Sequence, residues 1–260
     1  MLDSVQDKLH KGLRYFFLPL AFPGHFFPLA SQVLTRRSLV HELAHLVEHR
    51  QWFESRQFRT VVDVGAYIGS FSYAMHTLLP EAQIYAFEPL PDHYAALQKN
   101  MAGVRQFRAF HTALGETAGN VDFWKNDFSA SSSVLPIGEL HTQAFPQTAG
   151  THLVTVPMRR LDDFLPEMNL RSPVLLKLDV QGYEEVVLSG GLDLLRQADY
   201  LLVEVSYHPL YEGQVLFDRL YDFLRQNGML FAGIFDTLYS PVDGIPLQSN
   251  ALFVRQVSGD

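Results

Sequence analysis

The 260-residue chain contains no cysteine, which excludes a disulfide framework and any thiolate zinc site. It is also short of positive charge. Against 28 Asp and Glu stand 20 Lys and Arg, a net charge of -8 at pH 7. Non-specific nucleic-acid binding needs many cations to displace counterions, so nucleic acid is not an expected partner. No internal repeat of fixed period is present. Nor is there an unbroken apolar run of the about 20 residues that a membrane-spanning helix needs. The most apolar stretch, LRYFFLPLAFPGHFFPLAS at 13–31, is interrupted by Pro19, Pro23, His25 and Pro28, and proline breaks a helix that short. Because it follows Lys8, Lys11 and Arg14, its makeup suits a targeting segment, a membrane-surface arm, or an irregular arm packed on the domain or on a second copy of the chain. Membrane-surface contact and a homodimer are therefore both expectations for this arm. The lack of cysteine is compatible with the cytoplasm, where the protein is expected.

What is present is enough for a large core: 47% of residues are hydrophobic, suiting one domain with an arm. Residues 36–55 have helical spacing, with Leu39, Leu43, Leu46, Val47 and Trp52 or Phe53 on one side. Then strand and helix alternate: strand 60–64, helix 69–79 stopped by Pro80, strand 83–87, helix 91–101 and strand 105–110. This order requires right-handed crossovers, hence a doubly wound α/β sheet with parallel strands and helices on both faces. Residues 124–151, rich in Ser, Gly and Pro, break the rhythm and are expected as an insertion loop acting as a lid. Strands resume at 152–160, 174–180 and 199–205, with a short helix at LDDFL and a longer one at 214–226. The final pair, MLFAGIF and NALFVRQ, is expected to be antiparallel. The domain boundary is set at 58/59, with residues 1–58 as arm and helix and 59–260 as the main domain.

The first strand ends in VVDVGAYIGS. In an open parallel sheet, ligands bind beyond the carboxyl ends of the strands. Gly65 and Gly69 let a ligand approach the main chain there, and the following helix points free amides at the same crevice. A dinucleotide fingerprint would need G-x-G-x-x-G, but the chain has Gly65, Tyr67 and Ser70 at those positions and no P-loop lysine. Asp63 before the turn would repel a pyrophosphate and welcome a cation. Glu88, ending the second strand about 20 residues on, suits hydrogen bonds from ribose hydroxyls. The two acids together are expected to cup a nucleoside with a cationic tail.

The segments DVGAYIGSFS, YAFEP, TALGE, SASSSVL, RRLDDFL and LLKLDVQGYEEVVLSGG occur in that order. They resemble the FkbM-type S-adenosylmethionine-dependent methyltransferases from about Thr60 to Arg255. The resemblance implies a class I methyltransferase (Rossmann-like) fold, mostly parallel with an antiparallel last strand. It further implies S-adenosylmethionine as cofactor and methyl transfer to a hydroxyl oxygen of a small molecule or glycan. Asp63, Gly65, Ala66, Tyr67, Gly69, Ser70, Glu88, Pro89, Ala113, Leu114 and Asp179 are the expected cofactor-binding residues. The family often carries Asn where this chain has Tyr67, and a Tyr there would stack on a ligand or restrict the pocket. The serine loop, with Ser129, Ser131, Ser132 and Ser133, is implied to lie over the crevice.

Methyl transfer needs alignment of donor and acceptor, and removal of the acceptor's proton. Asp179, ending the strand VLLKLDV, is the first candidate, as base or substrate anchor. Lys177 shares its strand face and is costly inside an apolar strand unless paired, so it joins Asp179 among the catalytic candidates, with a structural Lys–Asp pair as the alternative. Glu204 holds the matching place on the next strand, and His208 beyond it could accept a proton near neutral pH. Asp179 and Glu204 could together hold a divalent cation, but no third ligand is evident and no metal is expected. HELAH at 41–45 fits the H-E-x-x-H pattern of zinc peptidases, yet the chain reads LVEHR next and enters the nucleotide-binding strand almost at once. Its histidines are expected on a solvated helix face. Methylation of protein or RNA, and a catalytically inactive scaffold, are the remaining alternatives.

Overall fold

The computed structural model describes residue 39 and residues 41–126 and 131–256, the side chains of His41, Ala44 and Val47 excepted. The apolar arm at 13–31 and Ser129 lie outside these residues.

Two short helices lead in, α1 (His41–Leu46) and α2 (Arg50–Arg56), joined by a tight turn at Val47–His49. The spacing at 36–55 predicted one helix, and the turn divides it. The side chains singled out by that spacing still reach the core, since Leu39, Leu43, Leu46 and Phe53 are buried. Next come β1 (Thr60–Val64), α3 (Ser70–Leu78), β2 (Gln83–Phe87), α4 (Pro91–Asn100) and β3 (Phe107–Phe110). Local chemistry sets their ends. Gly69 caps α3 in the left-handed region, and Pro91 opens α4, where its missing N–H costs nothing. The rest of the chain supplies β4 (Ala113–Leu114), β5 (Gly119–Asn126), α5 (Glu139–Ala144), β6 (Thr151–Arg159), β7 (Val174–Leu178), α6 (Glu184–Ser189), α7 (Leu192–Gln197), β8 (Tyr200–Ser206), α8 (Phe217–Gln226), β9 (Met229–Tyr239) and β10 (Pro246–Arg255).

The main sheet has seven strands in the order β3-β2-β1-β7-β8-β10-β9. Neighbours from β3 to β8 pair in parallel, and β10 runs antiparallel to both β8 and β9. The doubly wound sheet and its antiparallel last pair are thus as the sequence predicted. Alternation along each strand sorts residues onto two faces. Val62, Val64, Tyr85, Phe87, Leu176, Leu178 and Val203 pack against Leu161, Leu188, Leu194 and Leu224. Val61, Ile84, Ala86, Leu175 and Leu202 pack on the other face, against Leu43, Leu46, Phe53, Phe71, Met75 and Leu97. Residues 41–58 therefore share the core of the strands they precede.

A smaller three-stranded sheet, β4-β6-β5, stands beside the first. The expected insertion loop is shorter than its sequence suggested. β5 pairs antiparallel with β6 from Gly119↔Met158 to Asn126↔Thr151, and Trp124 also bridges Ser133. The sequence of β5, GNVDFWKN, hides the strand because Gly, Asn, Asp and Lys are poor strand formers.

Candidate active site

A cavity of about 750 Å³ opens at the carboxyl ends of β1, β2 and β7, within the range of small-molecule sites. Gly65, Ala66, Tyr67 and Ser70 line it from the first turn, Glu88, Pro89 and Leu90 from the end of β2, and Ala113 and Leu114 from β4. Lys177, Asp179 and Gln181 line it from β7 and its exit turn, Ser132 and Val134 from the serine loop, and Glu42 from α1. Most expected cofactor residues therefore meet in one space. Gly69, Asp63, Glu204 and His208 are not among the residues that line it.

Gly65 is required twice over. Its φ is +79°, and a Cβ there would lie 1.8 Å from the Asp179 carbonyl oxygen. The glycine thus serves the close passage of two strand exits as well as the approach of a ligand. Gly69, also left-handed, packs instead towards Leu97. Tyr67 has φ +51°, a conformation that Asn adopts more readily than Tyr. Its ring meets that of His93 edge-on at 4.5 Å.

Glu88 is 5% exposed and holds the turn together. One carboxylate oxygen accepts the Tyr67 N–H and the other the Leu90 N–H, both at 2.9 Å, with His93 Nδ1 3.6 Å away. Each carboxylate oxygen can accept a second bond.

Asp63 does not join Glu88. It lies on the α3 face of β1, fully buried, because alternation sends it to the same side as Val61. One oxygen accepts the Ser72 hydroxyl at 2.6 Å, and Oδ1 lies 3.6 Å from Lys177 Nζ without a hydrogen bond. The expectation that the two acids cup one ligand is therefore corrected. The cation facing Asp63 is Lys177, its register partner on β7.

Lys177 sits between Asp63 and Asp179 Oδ2, the latter at 3.4 Å, and above the Phe71 ring. Burial alone would lower its pKa, but Asp179, Asp63 and Glu42 outweigh burial and raise it. The ammonium therefore stays charged and cannot serve as a base. Burial raises Asp63 from its usual range despite Lys177 and Ser72.

The turn after β7 is built around Gln181, which is left-handed at φ +58°. Such strain persists only where neighbours over-determine it. Gln181 Nε2 donates to Asp179 at 2.6 Å and to Glu204 at 2.9 Å. Its Oε1 accepts the Tyr211 hydroxyl at 2.7 Å, and its carbonyl accepts the Ser133 hydroxyl at 2.8 Å. Glu204 also accepts from Gln248 Nε2 at 2.9 Å, and burial, then the charges of Asp179 and Glu184, push its pKa well up. Glu184 accepts the N–H groups of Val180 and Gly182, and burial pushes it up to about 7. Among the described residues no cluster of His, Asp and Glu could hold a metal.

The residue that sequence reasoning missed is Glu42. It belongs to HELAH, a motif set aside as a chance match. α1 packs against α3, and Glu42 lines both the main cavity and an adjoining recess of about 50 Å³. Burial pushes its carboxyl up to about 7, with Asp236, Asp179 and Asp63 adding and Lys177 opposing. The expected solvated histidine face is also corrected at His49. His49 stacks on Phe235 at 4.3 Å, with its Nε2 3.0 Å from the Phe235 carbonyl oxygen.

Comparison with known proteins decides the family. The sequence profile of the methyltransferase FkbM domain matches residues 63–231. This chain belongs to the FkbM methyltransferase family. The chain is 31% identical over 172 residues to the 2-O-methyltransferase NoeI of Sinorhizobium fredii, covering 63% of this chain and 70% of that one. It is 26% identical over 212 residues to the 31-O-demethyl-FK506 methyltransferase FkbM of Streptomyces tacrolimicus, covering 74% and 80%. Over 159 residues it is 26% identical to the hexuronic acid methyltransferase AglP of Haloferax volcanii, and there it spans 58% of each chain. The architecture is that of a class I methyltransferase, and the protein is a methyltransferase. No helix among the described residues is long and apolar enough to cross a membrane.

Proposed function

We propose that this FkbM-family enzyme transfers the methyl group of S-adenosylmethionine to a hydroxyl oxygen of a small molecule or glycan. The observation that carries the reading is the single cavity in which Glu88, the main chain at Gly65–Ala66 and Asp179 converge. By their names, the relatives above are a 2-O-methyltransferase, a hexuronic acid methyltransferase and a 31-O-demethyl-FK506 methyltransferase, which supports an oxygen acceptor on a sugar or small molecule. Bound here, the donor supplies a methyl group already activated by a sulfonium.

The chain's own residues do the rest. Glu88 accepts the ribose hydroxyls with the lone pairs left over from Tyr67 and Leu90. Pro89, Leu90, Ala113 and Leu114 flank the base, and Phe71, Phe87 and Phe123 keep water from the lining. Asp179, fixed by Gln181 and Lys177, anchors the acceptor. Ser133 fastens the serine loop across the turn after β7, and Ser132 and Val134 close the cavity from that side. The catalytic unit then includes α1, ahead of the expected boundary at residue 59, because Glu42 lines the same space. A cytoplasmic setting suits this cysteine-free enzyme.

Incubation with methyl-labelled S-adenosylmethionine and a panel of methyl glycosides and hydroxylated small molecules tests the reading. Label is expected in an alkali-stable methyl ether, and Asp179→Asn should cut turnover by about 10²-fold with donor affinity nearly unchanged. Label in protein or RNA instead, or an Asp179→Asn variant as fast as wild type, would count against it.

A further inference from the structure

We propose that Glu42, carried by α1 outside the matched family domain, is the general base that removes the acceptor's proton. The inference rests on the methyl-transfer reading above. The cavity contains several groups able to hold a proton, and the structure commits most of them elsewhere. Asp179 is ion-paired with Lys177 and bonded by Gln181. Lys177 is held as an ammonium. Glu88 accepts two main-chain amides at the β2 end, and His93 stands beside it against Tyr67. The phenols of Tyr67 and Tyr183 are raised by burial and stay neutral. Glu204 and His208 do not line the cavity.

Glu42 differs in two respects. Among the described residues, nothing hydrogen-bonds its carboxylate. It also lies at the β7 end, since Glu42, Phe71, Lys177 and Asp179 line both the main cavity and the recess, whereas Glu88 and His93 line only the main cavity. The charges acting on it are Asp63 from β1, Lys177 from β7, Asp179 just beyond β7, and Asp236 from β9; Phe71 lines the same recess from α3. Lys177 favours the Glu42 carboxylate, and Asp236, Asp179 and Asp63 favour the protonated form. Burial, the leading cause, brings its titration to about 7, where a carboxylate is basic enough to take a proton and still mostly available at pH 7.5. In the step itself, the hydroxyl oxygen bonds to the methyl carbon as the methyl–sulfur bond breaks. The bonding electron pair stays on sulfur, and the hydroxyl proton passes to a Glu42 oxygen. Neutral Glu42 then returns the proton to solvent.

Two readouts test this. In protein labelled at the glutamate carboxyl carbon, one resonance lost in Glu42→Gln should titrate near pH 7. Its midpoint should be lower with S-adenosylmethionine bound than with the demethylated product, because a sulfonium in the same cavity favours the carboxylate. Calorimetry should show donor affinity within about threefold of wild type in the variant. With a neutral hexose methyl glycoside as acceptor, single-turnover rates should rise with pH through about 7 in wild type. Glu42→Gln should lose about 10²-fold or more and flatten that rise, Glu42→Asp should recover part of both, and His93→Asn should keep the rise. A Glu42 midpoint near 4.5, an identical midpoint with donor and product, or a rise that follows His93 would each overturn the proposal. Failure of wild type to bind the donor at all would instead strike the reading of the previous section.

Discussion

Gly65 and Gln181 show how far a single residue constrains this site. Any side chain at Gly65 meets the carbonyl of Asp179 and must also hold a positive φ. Gly65→Ala is expected to cost roughly 3 kcal/mol of stability, seen as a lower urea midpoint; an unchanged midpoint would mean the two strand exits can separate freely. Motif reading singles out this glycine and Glu88, which line one cavity, and sets Asp63 beside Glu88, which the structure does not. Asp63 could not be placed from sequence because its orientation depends on the parity of a buried strand whose two faces are equally apolar. Which helix covers which face settles that, and it is a property of the whole sheet. Lys177, by contrast, was legible as a paired lysine, since an isolated cation in VLLKL is untenable.

Elements differ in how openly the sequence declares them. β1, β2 and β7 are mostly apolar, as expected for strands covered on both faces, with Asp63 and Lys177 as the charged exceptions, and their limits are readable to within two residues. β5 was not, because its stability comes from pairing with β6 and not from its own composition. α1 carried its buried residues in plain helical spacing, but nothing local said that Glu42 would point at a cavity built by β1 and β7. The turn after β7 is likewise a tertiary product. Its Gln181 side chain joins Asp179 to Glu204 and is steadied by a tyrosine 30 positions on. Tyr211→Phe should therefore loosen Asp179 without emptying the cavity. Turnover is expected to fall about fivefold to tenfold while donor affinity holds, which steady-state kinetics with calorimetry can separate. A change in donor affinity alone would place Tyr211's influence elsewhere.

For the molecule as a whole, the concentration of half-buried and buried acids near β7 sets a pH dependence. Glu42 and Glu184 titrate near 7 in the fold against an ordinary value of 4.5, and Glu204 is raised in the same sense. Between about 4.5 and 7 the folded chain thus binds more protons than the unfolded one, so stability falls as pH rises through that window and levels off above it. Urea midpoints are expected to be higher at pH 5.5 than at pH 8, with the difference reduced in Glu42→Gln. A stability that climbs across the same window would show these carboxyls to be ionised well below 7. The destabilised acids are tolerated because the sheet beneath them is thoroughly packed on both faces.

The most direct test of the central claim is titration calorimetry of the purified protein with S-adenosylmethionine and with its demethylated product. Both should bind one per chain, with affinity falling about 10–100-fold in Glu88→Ala, which loses a charged acceptor. Absence of heat from either compound at millimolar concentration, or equal affinity in wild type and Glu88→Ala, would contradict the assignment of this cavity to the methyl donor.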